Sequence, residues 1–565
     1  MSEPLLRIRD LQVDFKSALG TTTAVSKINF EVERGEILAI VGESGSGKSV
    51  TSLSILRLLP SPPASYPRGE ILFSADGLKP VDLLRLPIKD LRTLRGNEIA
   101  MIFQEPMSSL NPVFTCGDQV MEAIMLHQKL SRKAAMIKTV SLFEKVKLPD
   151  PAALFQRYPH QLSGGQKQRV MIAMAMSCEP SLLICDEPTT ALDVTVQKTI
   201  LQLIRELQQT EKMGVIFITH DLGVVAEIAD RAVVMYKGEI VEEGFVKDMF
   251  RHPQHPYTKG LLNCRPVLHP KGVRLPVVSD FINGHPDQAK VIPVKAQPAL
   301  SDKILMQVDQ LNVWFPARKT LLGKPKDFIK AVKNVSFEIF EGETLGLVGE
   351  SGCGKTTLGR TLLRLIKPTS GRILYNDRDI AVLDSATMRS MRRDLQIVFQ
   401  DPYSSLNPRI TIGSAISEPL KVQGITESRH ARKEKVIGLL EKVNLLPEHF
   451  DRYPHEFSGG QRQRIVIARA LAMNPSFLVC DESVSALDVS VQAQVLNLLN
   501  DLKKEFGFTI VFISHDLGVV RYISDRIMVM NKGIIEEIGE AEKVYNRPGT
   551  EYTRKLIDSI PRVGV

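Results

Sequence analysis

Residues 35–49 read GEILAIVGESGSGKS, and residues 342–356 read GETLGLVGESGCGKT. Each stretch contains the pattern G-x-x-x-x-G-K-[ST], over Gly42–Ser49 and Gly349–Thr356, directly after a short apolar run. The apolar runs predict buried strands, and the apolar residues that follow the loops predict helices. Glycines let backbone N–H groups curve around phosphate oxygens, and a helix N-terminus adds a favourable dipole. The sequence therefore predicts two phosphate-binding loops.

The side chains in these loops suit a nucleoside triphosphate with magnesium. Lys48 and Lys355 are placed to reach the β- and γ-phosphates, and the hydroxyls of Ser49 and Thr356 are candidate Mg²⁺ ligands. Because the pattern occurs twice in the same context, a chance glycine-rich turn is excluded. We expect each loop and the residue after it to bind ATP: Gly42, Glu43, Ser44, Gly45, Ser46, Gly47, Lys48, Ser49 and Val50, and Gly349, Glu350, Ser351, Gly352, Cys353, Gly354, Lys355, Thr356 and Thr357.

The repetition extends far beyond the loops. Residues 158–197 and 453–492 are identical at 24 of 40 positions when they are aligned at an offset of 295. This period is much longer than that of any solenoid repeat. The chain is therefore predicted to contain two copies of one whole domain.

Paired acids follow a second apolar run in each copy. Asp186 and Glu187 come after LLIC, and Asp481 and Glu482 come after FLVC. The first acid of each pair can hold Mg²⁺, and the second is placed to orient or deprotonate an attacking water. A lone pair of acids after a strand is usually a solvated loop, but the repetition beside a phosphate loop favours catalysis.

Other polar residues end further predicted strands. His220 and His515 follow VIFI and IVFI, where each could contact a γ-phosphate or fill a core position with a backbone partner. Gln104 and Gln400 follow another strand, and their amides suit contact with Mg²⁺ or water. Polar residues at several strand ends predict an α/β sheet with its site at the carboxyl edge.

A serine followed by two glycines opens a predicted helix in each copy. The serine is a helix cap, and the N–H groups behind it can bind an anion. With the phosphate loops, the chain offers four anion sites for two nucleotides. The residues concerned are Ser163, Gly164, Gly165 and Gln166, and Ser458, Gly459, Gly460 and Gln461.

Composition excludes several protein classes. The chain has 565 residues, 43% of them hydrophobic, so it can form sizeable cores. No stretch approaches the roughly 18 consecutive apolar residues of a spanning helix, and the N-terminus lacks a secretory signal pattern. The net charge of +8 is mild and does not argue for nucleic-acid binding. The six cysteines show no metal-ligand spacing. We therefore expect an intracellular protein without spans of its own.

Together these motifs resemble the ATP-binding-cassette (ABC) family. The resemblance implies an α/β fold with two tandem P-loop NTPase domains, each with a RecA-like core and a helical subdomain, joined by a Pro-rich linker. The expected divisions are a first cassette (1–252, helical subdomain about 105–180), an extension and linker (253–302), a second cassette (303–546, helical subdomain about 401–475) and a C-terminal extension (547–565).

In the terms of that family, the loops are Walker A motifs and the SGGQ segments are signatures. The resemblance makes Glu187 and Glu482 catalytic, together with the switch histidines His220 and His515. It assigns Mg²⁺ to the set Ser49, Gln104, Asp186, Thr356, Gln400 and Asp481. It adds Asp193 and Asp488 as D-loop residues, and Phe15 and Phe315 as aromatics that stack on adenine, although an aromatic near a strand end is often simply part of the core.

The resemblance also implies head-to-tail pairing of the two cassettes within the chain. Lys48 would then share a nucleotide with the second signature, and Lys355 with the first. Because both copies keep the glutamate, histidine and signature, we expect two hydrolytic sites. Phe457, Ser483 and Met174 depart from the pattern of the other copy and put equal rates in doubt.

The ends of the two copies indicate a substrate class. HPQHPYTKGLL at 252–262 and RPGTEYTRKLI at 547–557 resemble the C-terminal extension of ATPases that serve dipeptide, oligopeptide and nickel importers. Fused chains of this kind resemble the ATPases of glutathione and microcin C importers. The implied partners are two permease subunits and an extracytoplasmic peptide-binding protein. The implied location is peripheral, at the cytoplasmic face of the bacterial inner membrane.

Three alternatives remain at this point. A twin-cassette protein could act on ribosomes in translation, although such proteins typically carry a charged helical linker, and residues 265–300 are proline-broken and sparsely charged. An exporter ATPase is disfavoured by the importer-like ends. Import of nickel or another solute also fits the extension.

Overall fold

The computed structural model describes residues 3–17, 20–104, 109–190, 192–284, 301–319, 325–425, 428–485 and 487–560. It divides into two compact units, the first of residues up to 192 and 196–262, the second of residues 193–195 and 263–560. Part of the predicted linker, residues 285–300, lies outside the described residues. Within the described residues, no helix combines the length and apolar character needed to cross a membrane.

The first unit contains two sheets. A four-stranded antiparallel sheet has the order β2-β1-β4-β5, and a six-stranded sheet has the order β10-β9-β3-β8-β7-β6. In the six-stranded sheet, all pairings are parallel except that of β9 with β10. The strands are β1 (Leu6–Ser17), β2 (Gly20–Val32), β3 (Ile37–Val41), β4 (Ala64–Phe73), β5 (Val81–Asp82), β6 (Ile99–Ile102), β7 (Leu182–Asp186), β8 (Gly214–Thr219), β9 (Arg231–Tyr236) and β10 (Glu239–Phe245).

Helices surround these sheets and form a separate helical segment between β6 and β7. That segment packs its own apolar core, which includes Val120, Phe143 and Leu154, and continues to one face of the six-stranded sheet. The helices are α1 (Lys48–Ile55), α2 (Ile88–Leu94), α3 (Cys116–Gln128), α4 (Arg132–Lys145), α5 (Pro151–Phe155), α6 (Gly164–Ala175), α7 (Val194–Glu211), α8 (Leu222–Ile228), α9 (Val246–Arg251) and α10 (Pro256–Asn263).

The second unit repeats both sheets. The antiparallel sheet has the order β12-β11-β14-β15, and the mixed sheet the order β16-β17-β18-β13-β19-β20. Its strands are β11 (Ile304–Lys319), β12 (Pro325–Phe340), β13 (Thr344–Val348), β14 (Ser370–Tyr375), β15 (Arg378–Asp379), β16 (Leu395–Val398), β17 (Phe477–Asp481), β18 (Thr509–Ile513), β19 (Arg526–Asn531) and β20 (Ile534–Glu540).

The helices of the second unit follow a similar plan, with two short helices that have no described counterpart in the first unit (278–282 and 402–405) and a 3-10 helix, Pro447–Asp451, in place of α5. They are α11 (Val278–Ile282), α12 (Lys355–Leu362), α13 (Ser385–Met391), α14 (Pro402–Ser405), α15 (Ile412–Val422), α16 (Arg429–Lys442), α17 (Gly459–Leu471), α18 (Val489–Phe506), α19 (Leu517–Ile523), α20 (Ala541–Asn546) and α21 (Glu551–Asp558).

The predicted central strands are confirmed. The runs ILAIV and TLGLV form β3 and β13, and every residue of both strands is buried. Parallel strands covered on both faces are continuous apolar runs, which is why sequence alone identifies them. Within each six-stranded sheet, the carboxyl ends of the parallel strands lie at one edge, and the predicted site residues follow directly after them.

Residues 263–284 pack within the second unit although they follow the first cassette in the chain. The buried Asn497 of α18 accepts the backbone N–H of Leu275 at 2.9 Å and donates to its carbonyl at 2.8 Å. The hydroxyl of Tyr522 donates to the carbonyl of Val273 at 2.8 Å. These bonds pair backbone groups that would otherwise be buried without partners.

Candidate functional site

The phosphate loops connect β3 to α1 and β13 to α12. The side chain of Lys48 is buried, and its Nζ donates to the carbonyls of Gly42 at 2.7 Å and Glu43 at 2.8 Å. Lys355 donates to the carbonyl of Gly349 at 2.7 Å and to that of Glu350 at 2.9 Å. In both copies the loop thus curves around its own lysine, so the ammonium group lies inside the curve of backbone.

Only glycine fits the first position of each loop. A Cβ at Gly42 would lie 2.2 Å from the carbonyl oxygen of Met235, and one at Gly349 would lie 2.1 Å from that of Met530. The neighbouring atom is backbone in both cases, so it cannot move aside as a flexible side chain could. Each loop is therefore seated against the strand beside it.

A hydroxyl and a carboxylate meet at the start of each of these helices. Ser49 Oγ donates to Asp186 Oδ1 at 3.1 Å, and Thr356 Oγ1 donates to Asp481 Oδ1 at 2.9 Å. Burial raises the pKa of Asp186 to about 6, against the hydrogen bond from Ser49. Burial also raises the pKa of Asp481, against the hydrogen bond from Thr356 and the charge of Arg360.

This donor set fits magnesium. Oxygen ligands are those that Mg²⁺ prefers, and it usually binds one or two protein carboxylates together with phosphates and water. The buried Oδ2 atom of Asp481 has no hydrogen-bond partner among the described residues, although Arg360 Nη2 lies 3.6 Å away. Over the same residues there is no cluster of three or more His, Cys, Asp and Glu that could hold a metal alone.

The second acid of each pair is held between an amide and an imidazole. Gln104 Nε2 donates to Glu187 Oε2 at 3.0 Å, and His220 Nδ1 lies 3.3 Å from Glu187 Oε1. Burial acts to raise the pKa of Glu187, but the hydrogen bond and charge of His220 outweigh it and bring the pKa down to about 2. The carboxylate is therefore ionised and oriented, as a base that positions water requires.

The second copy repeats this arrangement with a longer imidazole contact. Gln400 Nε2 donates to Glu482 Oε2 at 2.7 Å, and His515 Nδ1 lies 3.8 Å from the same oxygen. Burial acts to raise the pKa of Glu482, but the hydrogen bond and charge of His515 lower it. The structure thus brings the predicted glutamine, glutamate and histidine together in each cassette.

Both glutamates have left-handed backbone conformations, with φ of 47° at Glu187 and 48° at Glu482. Such a conformation is costly for a residue with a Cβ and persists only where the surroundings enforce it. Here each glutamate N–H donates to the neighbouring strand, to Ile218 and to Ile513, both at 3.0 Å. The same strained turn therefore directs each carboxylate toward its glutamine and histidine.

Comparison with known proteins agrees with this duplicated geometry. The ABC transporter family matches residues 25–190 and 332–485, and the oligopeptide/dipeptide transporter C-terminal region matches residues 241–280 and 537–565. The chain belongs to the ABC transporter family. Its cassettes bind and hydrolyse ATP, as those of this family do.

Individual relatives extend over the full chain. The glutathione import ATP-binding protein GsiA of Pectobacterium atrosepticum is 50% identical over 99% of this chain and 89% of its own length. That of Escherichia coli K12 gives the same figures. Among solved structures, a dimeric post-hydrolysis state of the ATP-binding cassette MJ0796 bound to ADP and Pi is 30% identical, with a TM-score of 0.38, over 42% of this chain and 98% of that one.

The ABC signatures begin helices, as their sequence predicts. Ser163 caps α6 by accepting the N–H of Gln166, and Ser458 caps α17 by accepting that of Gln461. Each glutamine side chain accepts the serine N–H in return, which completes a capping box. The N–H groups of the glycines between them lie in the first helical turn, where an anion is favoured.

The remaining predicted residues lie in less decisive positions. Phe15 is partly buried against the core of the first cassette, whereas Phe315 is 38% exposed on β11. Asp193 accepts the hydroxyl of Thr195 at 2.7 Å, and Asp488 is the residue before α18. Their positions leave the stacking of adenine and the D-loop contacts as predictions.

Several neighbours of the site were missed by sequence reasoning. Thr190 Oγ1 donates to Glu187 at 3.0 Å, and Arg360 lies beside Asp481. The hydroxyls of Tyr257 and Tyr552 accept backbone N–H groups of the two phosphate loops. The tyrosines had a visible signal, since YT recurs in both extensions at the offset of 295.

Proposed function

We propose that this chain hydrolyses ATP at two sites to drive uptake of glutathione or related short peptides. The observation that carries the proposal is full-length similarity to glutathione import ATP-binding proteins, at 50% identity over 99% of the chain. The oligopeptide/dipeptide match at both cassette ends supports the peptide class. Relatives over the full chain are import proteins, so action on ribosomes is not favoured.

Each cassette contributes a defined set of groups to hydrolysis. Lys48 and Lys355 neutralise phosphate charge, and Glu187 and Glu482 orient and deprotonate the attacking water. His220 and His515 hold those carboxylates, and they can instead contact the phosphate that leaves. Gln104 and Gln400, at the start of the helical segment of each cassette, donate hydrogen bonds to these carboxylates.

Magnesium is the metal that we assign to this reaction. When bound, it would neutralise charge on the β- and γ-phosphate oxygens. Ser49 with Asp186, and Thr356 with Asp481, would hold it, since these pairs offer oxygen atoms at the start of the helix after each phosphate loop. Gln104 and Gln400 complete the predicted set.

We further propose that each nucleotide site combines the phosphate loop of one cassette with the signature of the other. Four anion-binding helix starts for two nucleotides favour such sharing. Ser458 and Gly460 would then face the triphosphate at Lys48, and Ser163 and Gly165 that at Lys355. The capping boxes at both signatures support this role, because they fix the first helical turn.

The remaining subunits are assigned by chemistry. The full-length relatives are import ATP-binding proteins, which supports separate permease subunits as the partners that form the passage. We propose two permeases and an extracytoplasmic peptide-binding protein as partners, with this chain bound peripherally at the cytoplasmic face. Uptake direction follows from the importer relatives.

Uptake by cells tests this function. A strain that lacks this chain but keeps the permeases and binding protein should lose accumulation of labelled glutathione. The natural chain should restore it, whereas a chain with Glu187→Gln and Glu482→Gln should not. Restored uptake of a labelled dipeptide but not of glutathione would show that the substrate is another short peptide and not glutathione. Unchanged uptake of both by the deleted strain would contradict the proposal.

A further inference from the structure

The phosphate loops contact the C-terminal extensions through one tyrosine in each cassette. The backbone N–H of Glu43 donates to the hydroxyl of Tyr257 at 2.9 Å, and that of Glu350 donates to the hydroxyl of Tyr552 at 3.2 Å. Tyr257 is the second residue of α10, and Tyr552 is the second residue of α21. The contact therefore recurs at equivalent positions of two separately encoded copies.

The peptide unit held by each tyrosine is the one that holds the lysine. The N–H of Glu43 and the carbonyl of Gly42 belong to the same planar peptide group. The tyrosine binds one end of this group, and Lys48 Nζ donates to the other end at 2.7 Å. In the second cassette, Lys355 Nζ donates to the carbonyl of Gly349 at 2.7 Å. Rotation of the peptide would break both bonds at once.

Each tyrosine is itself positioned by a carboxylate on the last strand of its cassette. Glu242 of β10 accepts the N–H groups of Gln254 at 2.8 Å and His255 at 3.1 Å, just before α10. In the second copy, Glu537 of β20 accepts those of Gly549 at 2.8 Å and Thr550 at 3.3 Å. The start of each helix, and hence its tyrosine, is tied to the sheet.

The rings differ in their surroundings. Tyr257 is fully buried, and its ring lies 4.3 Å from that of Tyr236, centroid to centroid. Position 531, which corresponds to Tyr236, is asparagine. Burial raises the pKa of Tyr552 far above its ordinary value, against the hydrogen bond from Glu350. The phenol of Tyr552 therefore retains its proton while it accepts the loop N–H.

We propose that Tyr257 and Tyr552 are positioning residues for the phosphate-binding lysines, each setting the Gly–Glu peptide that orients the lysine of its own cassette. This inference rests on the proposed nucleotide sites and deepens them. Each C-terminal extension would then have a role at the ATP site of its own cassette. Loss of the phenolic hydroxyl should weaken nucleotide binding in that cassette alone.

The test uses the full chain and 8-azido-ATP with Mg²⁺. Photolabelled peptides, identified by mass spectrometry, report the first and second halves separately. Tyr257→Phe should raise the half-saturating concentration for the first half about tenfold, since one buried hydrogen bond is lost and an N–H is left unpaired. The second half should keep its natural value. Tyr552→Phe should give the reverse pattern, with the KM for ATP rising more than kcat falls.

Tyr522→Phe is the matched control, because it removes another buried hydroxyl that bonds a backbone carbonyl away from the loops. It should lower the melting temperature without a half-selective change in labelling. A folded Tyr257→Phe or Tyr552→Phe chain with unchanged labelling, or with equal weakening of both halves, overturns the inference. If one variant does not fold, the other decides.

Lys48→Ala separates this inference from the proposed function. It should abolish labelling of the first half. If it does, while both tyrosine variants label normally, only the positioning role is wrong. If Lys48→Ala leaves first-half labelling intact, the proposed nucleotide site itself is wrong.

Discussion

At the scale of the residue, the proposed catalytic role of each glutamate depends on how its carboxylate is held. One carboxylate oxygen of Glu187 accepts a hydrogen bond from Gln104, and His220 lies beside the other oxygen. Its left-handed backbone fixes the direction in which the side chain leaves the strand. An ionised carboxylate held between an amide and an imidazole is oriented before water arrives, which lowers the reorganisation needed in the transition state.

Gln104→Ala tests this orientation. We expect kcat for ATP to fall about tenfold or more, since a misplaced general base loses part of a contribution of roughly 10²–10⁴. Binding of ATP without Mg²⁺ should change little, because the amide contacts the carboxylate of Glu187 and not the phosphate loop. Steady-state hydrolysis together with equilibrium ATP binding would measure both.

Gln12→Ala is a suitable control, because its amide contacts Asp14 on the antiparallel sheet. A Gln104→Ala chain with natural kcat, or with weaker ATP binding and unchanged kcat, would argue against this reading of the contact. Gln400→Ala should act in the same way through Glu482.

At the scale of the element, each signature helix is packed closely against the helix that follows Glu187 or Glu482 in its cassette. A Cβ added at Gly460 would lie 2.3 Å from Val491 Cγ1, and one at Gly165 would lie 2.7 Å from Val196 Cγ1. The second glycine of each signature is therefore needed for packing as well as for exposing backbone N–H groups. Close packing within one cassette therefore explains why the motif has glycine at this position.

Gly460→Ala and Gly459→Ala form a matched pair on adjacent residues of α17. We expect Gly460→Ala to cost about 1–3 kcal/mol through overpacking against Val491. A Cβ at Gly459 meets nothing within 4 Å, so Gly459→Ala should not destabilise the fold. Thermal unfolding of the two variants measures the difference. Equal melting temperatures would contradict the packing argument.

The elements nearest the site were largely predictable, and their partners were not. The runs ILAIV, LLIC and VIFI gave β3, β7 and β8 because strands buried on both faces are continuously apolar. The contact of Tyr257 with Glu43 joins residues 214 apart, so no local pattern could show it. The helix starts at the SGGQ segments were predicted, but the packing of Gly460 against Val491 joins two helices and has no local sequence pattern.

At the scale of the whole molecule, the segment after the first cassette is anchored on the second unit. Weak periodicity and frequent prolines favoured an extension and linker, yet Val273, Leu275 and Val278 are buried. Their apolar surroundings come from distant residues of the chain, which local periodicity does not reveal. Lys271 also forms an ion pair with Asp525, next to the half-buried Lys503.

Asn497→Ala tests this anchor. The substitution leaves the N–H and carbonyl of Leu275 buried without partners, at about 1–3 kcal/mol for each group. We expect a lower melting temperature and faster proteolytic cleavage near residues 263–284. Asn546→Ala, which removes a surface amide bonded to Glu542, should change neither. Unchanged cleavage in the Asn497 variant would show that the segment does not depend on this pair.

The proposed function depends on two working hydrolytic sites in one chain. The most direct measurement is the steady-state ATP hydrolysis rate of Glu187→Gln, Glu482→Gln and the double variant. We predict that each single substitution lowers the rate by at least half, the two within about twofold of each other, and that the double variant is about 10²-fold slower or more. A natural rate in Glu482→Gln beside a complete loss in Glu187→Gln would contradict the account.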